Sequence, residues 1–306
     1  MSAWLALGAV CIIWGTTYLA IRIALESFGP FSLMGLRYFV SGALMMIGAK
    51  AWRAALPRGR ELWLTALYGT IAIGLGTGLL CVAEQWVATG LSALFIATQP
   101  FWMVVMEWVL SGGADRPHAP TIRGLMIGIA GVAVLVAPTA MKQGLGSGTV
   151  LGFLLLQIGS IGWVTGALLQ KRLGTVAHPI VSGAVQQLAT GIVFIVLALA
   201  FERIPTHVTL RAVGGIVYLI VFGAVIGYSA FVFAMDRLPA TIVSIYTFVN
   251  PVVAVFLGWL IFREPFGRRE LVAMLLIFTG IAVVKFSRTR ESRTILDSSE
   301  QLAVND

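Results

Sequence analysis

Runs of about 20 residues almost free of charge recur along the whole chain, and they leave it little choice of environment. A helix of that length crosses the roughly 30 Å hydrocarbon layer of a bilayer. Within that layer backbone N–H and C=O groups must be satisfied by the chain itself, so the runs are expected to be helices. Ten segments qualify: 3–25, 30–50, 62–84, 88–110, 121–138, 149–170, 179–200, 210–235, 240–262 and 268–286. A soluble core could not absorb them. Of the 306 residues 58% are hydrophobic and 11% charged, against roughly 45–50% and about 25% in soluble domains. The expectation is an all-α integral membrane protein of the cell's inner (plasma) membrane, with the lipid bilayer as its first partner. The N-terminal run has no basic leader and is too long for a signal h-region, so it reads as a retained first span. No loop can hold a soluble domain, and residues 288–306 form a polar tail.

The formal charge of +8 is not gathered into one stripe but lies in short clusters between the apolar runs. That distribution argues against nucleic acid as a partner and reads as a topology signal. With the N-terminus in the cytoplasm, 13 Lys and Arg fall on the inner side and 7 on the outer, with Arg37 inside a span. The bias favours both termini inside, although the last outer loop is itself basic. Cys11 and Cys81 lie in apolar runs, where they read as small core side chains rather than a disulfide or metal pair. GLGTG at 74–78 lacks the lysine of a phosphate-binding loop and sits mid-span. No cofactor or metal site is expected.

The chain also resembles itself. A shift of 149 residues places Trp14 on Trp163, Thr16 on Thr165, Pro30 on Pro179 and Gly42 on Gly191. A shift of 151 places Gly76 on Gly227, Pro100 on Pro251 and Trp108 on Trp259, and the offset is back to 149 where Gly131 meets Gly280. The order is kept throughout and rare residue types are matched, so two repeats are read, 1–140 and 141–287, with five spans each. An odd number of crossings makes the second repeat enter from the opposite face. Inverted repeats recur in secondary transporters, whose substrates bind near the midplane between the halves.

The segments ATGLSALFIATQPFWMVVMEWVL and ATIVSIYTFVNPVVAVFLGWLIFREPF, together with W-G-T-T-Y at 14–18, resemble the EamA-type carriers of the drug/metabolite transporter superfamily. The resemblance covers residues 1–286. It implies a small-molecule carrier, often an exporter of amino acids or other metabolites, with a basket of helices around a central cavity. Arg263-Glu264-Pro265 looks like the family's short acidic turn after the ninth helix, whereas the first half departs from it with Ser111-Gly112-Gly113-Ala114-Asp115.

The two Gln/Asn-Pro dipeptides lie about half-way along their spans: Gln99-Pro100 in the fourth, Asn250-Pro251 in the ninth. Each proline removes a backbone donor and should free the carbonyl four residues back, that of Ile96 or Thr247. Such breaks belong against protein or a wet cavity. The adjacent amides can then bind substrate or hold neighbouring helices together, and both readings stand. Trp14 and Trp163 lie away from the interfacial belt and offer indole faces and N–H groups. Phe95, Trp102 and Tyr246 stand near the dipeptides at helical spacing, and either a cavity wall or core packing fits them. Arg37, with Tyr38 beside it, carries a charge inside the second span, at a cost of about 2.5–3.5 kcal/mol on insertion scales. It could meet a substrate carboxylate, snorkel outward or pair with Glu84. Glu84 and Glu107 are the acidic groups placed to carry a coupling proton, with structural pairing as the alternative. Gly76 and Gly227 are candidate hinges, and close helix contact explains them as well.

These residues predict a monomeric secondary transporter for small amphipathic metabolites, working by alternating access. The aromatic content points within the resemblance to the aromatic amino-acid exporter branch. A membrane-embedded enzyme would need paired catalytic groups, whereas the three histidines, His118, His178 and His207, lie in or beside loops far apart in sequence. A channel would need a polar ring along its pore, and these spans carry few polar groups.

Overall fold

The computed structural model describes residues 2–287 except 52, 88, 115, 144–146, 175–176, 204–206, 263–266, 270 and 285. The Arg263-Glu264-Pro265 turn and the tail at 288–306 lie outside the described residues. All regular structure among the described residues is helical. We number α1 (Ala3–Ala24), α2 (Pro30–Ala51), α3 (Gly59–Ala83), α4 (Thr89–Ile96), α5 (Gln99–Leu110), α6 (Ala119–Gln143), α7 (Ser147–Leu173), α8 (Pro179–Phe201), α9 (Leu210–Arg237), α10 (Ala240–Val243), α11 (Tyr246–Phe262) and α12 (Leu271–Val284). Seven apolar helical stretches are long enough to cross a bilayer, those at 3–24, 30–51, 59–83, 92–110, 148–173, 179–201 and 210–237. Three shorter ones follow the remaining apolar runs, Ala119–Val134, Ala240–Val253 and Leu271–Val284.

The helix starts are local chemistry. Pro30 and Pro179 open α2 and α8, where a missing N–H costs nothing and the fixed φ suits the helix. Ser2 caps α1, and Thr209 caps α9 by accepting from the Ala212 N–H at 3.1 Å.

The proline breaks differ between the halves. In the fourth span the helix stops at Ile96, turns through Ala97 and Thr98, and restarts as α5 with Gln99-Pro100 in its first turn. The Thr98 hydroxyl donates to the Phe95 carbonyl at 2.8 Å and so satisfies part of the break. In the ninth apolar run the interruption comes earlier, at Ser244 and Ile245, and Pro251 sits inside the continuous helix α11. The expected release of the Ile96 carbonyl therefore becomes a full break, and Pro251 is carried without one.

Two wide turns interrupt α3 and α9. Thr70–Leu75 and Leu219–Ile226 are π-helical, six and eight residues long. Their first residues lie 149 apart and the residues just after them, Gly76 and Gly227, lie 151 apart. The change of repeat offset from 149 to 151 thus falls inside the wide turn of α9, which holds the two extra residues.

Packing joins one half of the chain to the other. Helix α2 lies along α8 over most of its length. A Cβ on Gly42 would come 2.7 Å from the Leu188 nitrogen and one on Gly191 2.4 Å from the Phe39 nitrogen, so both residues must be glycine for this approach. At one end of the pair the Glu202 carboxylate closes the N-terminus of α2, accepting from the Phe31 N–H at 2.7 Å, the Ser32 N–H at 2.8 Å and the Ser32 hydroxyl at 2.6 Å. At the opposite end Arg172 of α7 donates to the last carbonyls of α5, those of Leu110 and Glu107. Glu202 and Arg172 are each an ion placed on the helix terminus of complementary partial charge.

Candidate functional site

Helices α1, α2, α3, α4, α5, α7, α9 and α11 surround a central cavity of about 70 Å³. Its lining includes Trp14, Arg37, Tyr38, Gly76, Gln99, Trp163, Tyr246 and Asn250 from the sequence candidates, with Tyr18, Thr77, Ser160 and Tyr228 added. The structure thus brings most of the candidates together. Phe95 and Trp102 stand outside this lining. Phe95 packs edge-on against Phe153 with ring centroids 5.0 Å apart, and Trp102 donates its indole N–H to Gln157 at 2.8 Å. Pro100 and Pro251 are not among the lining residues, and Gly227 packs against Trp14.

An aromatic cluster forms the hub of the wall. Trp14 meets Trp163 at 5.4 Å and Tyr246 at 5.0 Å, both edge to face, and all three rings contact Phe231. The two tryptophans are seated against glycines of the other half of the chain. A Cβ on Gly76 would come 2.7 Å from Trp163, and one on Gly227 2.6 Å from the Trp14 nitrogen. The indole N–H of Trp14 donates to the Gly223 carbonyl at 3.0 Å, in the wide turn of α9. The next carbonyl in that turn, of Ala224, accepts from the Gln187 amide at 3.1 Å. Side chains from α1 and α8 thus serve carbonyls of the π turn, where a purely α-helical ladder is interrupted.

The two amides have different surroundings. Gln99 accepts from the Tyr246 hydroxyl at 2.8 Å, a bond between α5 and α11. Asn250, with its amide nitrogen turned to the acceptors around it, donates to the Tyr246 carbonyl at 3.0 Å and the Cys11 carbonyl at 3.1 Å. Asn250 therefore holds α11 to α1 while it lines the cavity.

Arg37 is only 4% exposed and does not snorkel. Its Cζ lies 4.8 Å from the Tyr38 ring centroid, and its Nε and Nη1 have no hydrogen-bond partner. No ion pair joins it to Glu84, whose buried carboxylate oxygens also lack a hydrogen-bond partner. Glu107 accepts from the Thr241 hydroxyl at 2.8 Å. Cys11 and Cys81 are free, and no group of three His, Cys, Asp or Glu that could hold a metal occurs among the described residues.

Sequence reasoning passed over the polar residues of α7 and α8. Gln157 gathers Thr98 at 2.9 Å and Trp102 at 2.8 Å and donates to the Phe95 carbonyl at 3.1 Å, bracing the broken fourth span. Gln186 accepts from the Tyr228 hydroxyl at 2.6 Å. Tyr228 lines both the central cavity and a larger pocket of about 370 Å³. That second pocket also takes in Gln170, Lys171, His178, Ser182, Gln186 and Asp236, where α7 ends, α8 begins and α9 ends. Glutamines deep in apolar runs were the available signal for Gln157, Gln186 and Gln187. Tyr228 gave none, since a lone tyrosine among apolar residues reads as packing.

Comparison with known proteins agrees with this architecture. The EamA-like transporter family matches residues 1–137 and again 150–286. The inner membrane transporter YedA of Escherichia coli K12 is 30% identical over 285 residues, covering 92% of this chain and 90% of its own. The transporter YvbV of Bacillus subtilis is 26% identical over 303 residues, covering 98% and 96%. Protein PecM of Dickeya dadantii is 23% identical over 298 residues, covering 95% of each. A solved crystal structure 21% identical in sequence superposes with a TM-score of 0.80 over 94% of this chain and 98% of its own, a likeness of fold. The chain belongs to the EamA-like transporter family.

Proposed function

We propose that this protein is a secondary transporter of the inner membrane that exports small amphipathic metabolites, amino acids and aromatic ones foremost, by alternating access. The observation that carries the reading is the arrangement of two cavities in series. A central cavity walled by residues of both halves of the chain shares Tyr228, which donates to Gln186, with a roomier pocket at one end of the helices. A carrier needs such a central site with an opening on one side at a time. In this reading the chain crosses the membrane ten times as two inverted five-helix repeats, 1–140 and 141–287, in line with the double family match. Both termini are cytoplasmic, the larger pocket is the inner vestibule, and the name of the E. coli relative supports the membrane assigned.

Trp14, Trp163 and Tyr246 present rings to an amphipathic substrate, Arg37 and Tyr38 its polar end, and Gln99 and Asn250 join substrate contact to helix contact. The break before Pro100, the proline at 251 and the close contacts at Gly76 and Gly227 mark where the spans rearrange between states. Transport runs on the gradient of the substrate or of an ion, and the monomer is the working unit.

The test is flux of labelled amino acids in sealed liposomes carrying the purified protein. Saturable flux subject to competition is expected, and non-saturating conductance would replace the carrier with a channel. Gln99→Ala and Asn250→Ala should each lower flux while inserting normally. Wild-type kinetics in both would remove these amides from the transport path.

A further inference from the structure

The polar atoms left unused around the central cavity have one chemical character. Among its lining residues, the buried side-chain atoms without a hydrogen-bond partner are Arg37 Nε and Nη1, Trp163 Nε1 and Ser160 Oγ. The first three can only donate. The acceptors nearby are engaged: Gln99 Oε1 by Tyr246, and the Gly223 carbonyl by Trp14. No Asp or Glu lines the cavity among the described residues, so the Arg37 charge has no counter-ion there. A buried charge and orphaned donors are costly in a low-dielectric site until a ligand supplies acceptors and opposite charge. Beside these donors the wall is aromatic.

We propose that the cavity selects amphipathic aromatic carboxylates, recognising the carboxylate at Arg37 and the ring at the Trp14–Trp163–Tyr246 cluster, and that an α-ammonium group is not a required element of the substrate. The proposal rests on the reading of the central cavity as the transport site and narrows the chemistry of its cargo. An amino acid is accepted as one member of the class, through its carboxylate. The matching amine, which brings a cation to an arginine with no acidic residue to receive it, is excluded.

Three ligands that share a phenyl ring and carry different charged groups test this: phenylacetate, phenylalanine and phenethylamine. Binding is read from the tryptophan fluorescence of the full-length protein in detergent, and flux from labelled ligand in liposomes. Phenylacetate is expected to bind and move at least as well as phenylalanine, with phenethylamine more than about tenfold weaker, the scale of one charge-assisted contact. Arg37→Gln should weaken phenylacetate by about tenfold or more and flatten the difference among the three ligands. Arg37→Lys, which keeps the charge, should retain the order and guards against a Gln variant that fails to fold. Phenylalanine and phenethylamine moving while phenylacetate neither binds nor moves would overturn the proposal and leave the carrier standing. Phenylacetate binding that is lost in Arg37→Gln, without flux of any of the three ligands, would uphold the proposal and overturn the carrier. Absence of phenylacetate binding and of all flux would overturn the proposal.

Discussion

Trp14 and Trp163 each rest on a glycine from the other half of the chain, and this exchange fixes the aromatic hub at the cavity. An added methyl at Gly227 would meet the Trp14 nitrogen at 2.6 Å, so the ring must move and its bond to the Gly223 carbonyl must stretch. Overpacking of this kind costs about 1–3 kcal/mol. Gly227→Ala should therefore lower thermal stability in detergent and reduce flux, whereas Gly8→Ala, with nothing within 4 Å of the new atom, should do neither. Tyr228→Phe keeps the ring and removes only the hydroxyl that donates to Gln186 at 2.6 Å. If that bond holds the two cavities apart, the variant should melt near the wild type yet transport at a rate changed several-fold, as read by initial rates in liposomes. The site was partly legible because mid-span tryptophan, arginine and amide residues are conspicuous in apolar runs. Their partners were not legible: Trp14 meets Gly223 and Gly227 across more than 200 residues of sequence, and no local pattern encodes that contact.

Helix ends carry the ties between elements. Glu202 closes the N-terminus of α2 with three donors from Phe31 and Ser32, all within 2.8 Å. Charge-assisted bonds of this kind contribute about 1.5–3 kcal/mol. Glu202→Ala should lower the melting temperature measurably, Glu202→Gln should lose less because an amide oxygen still accepts, and neither should alter substrate preference. Comparing the melts with the selectivity of purified variants checks all three expectations. The apolar helices themselves could be read from hydropathy to within a few residues, Pro30–Ala51 and Pro179–Phe201 among them. The interruptions could not. A proline marks a weak turn, but the break falls directly before Gln99 in one half and five residues before Asn250 in the other. The difference depends on which neighbours satisfy the loosened carbonyls, as Gln157 and Thr98 do around Phe95.

Over the whole molecule, orientation converts the pocket at the ends of α7, α8 and α9 into a statement about sides. In a background lacking Cys11 and Cys81, His178→Cys, at an exposed position lining that pocket, should react with an impermeant maleimide from the cytoplasmic face and Glu26→Cys only from the other. The reverse pattern would invert the topology and with it the direction of the vestibule. The self-resemblance of the sequence runs end to end with an offset that hardly drifts. What the residues alone did not disclose is where the drift is housed. A two-residue insertion into an ordinary α-helix turns everything beyond it by about 200°, which would carry a cavity-facing side chain to the lipid. The eight-residue wide turn at Leu219–Ile226 takes up those two residues and delivers Gly227 to Trp14 much as Gly76 is delivered to Trp163. It works as a slack loop in a taut rope. Shortening α9 by two residues should therefore be survivable inside 219–226 and ruinous at 230–231, where there is no slack to draw on.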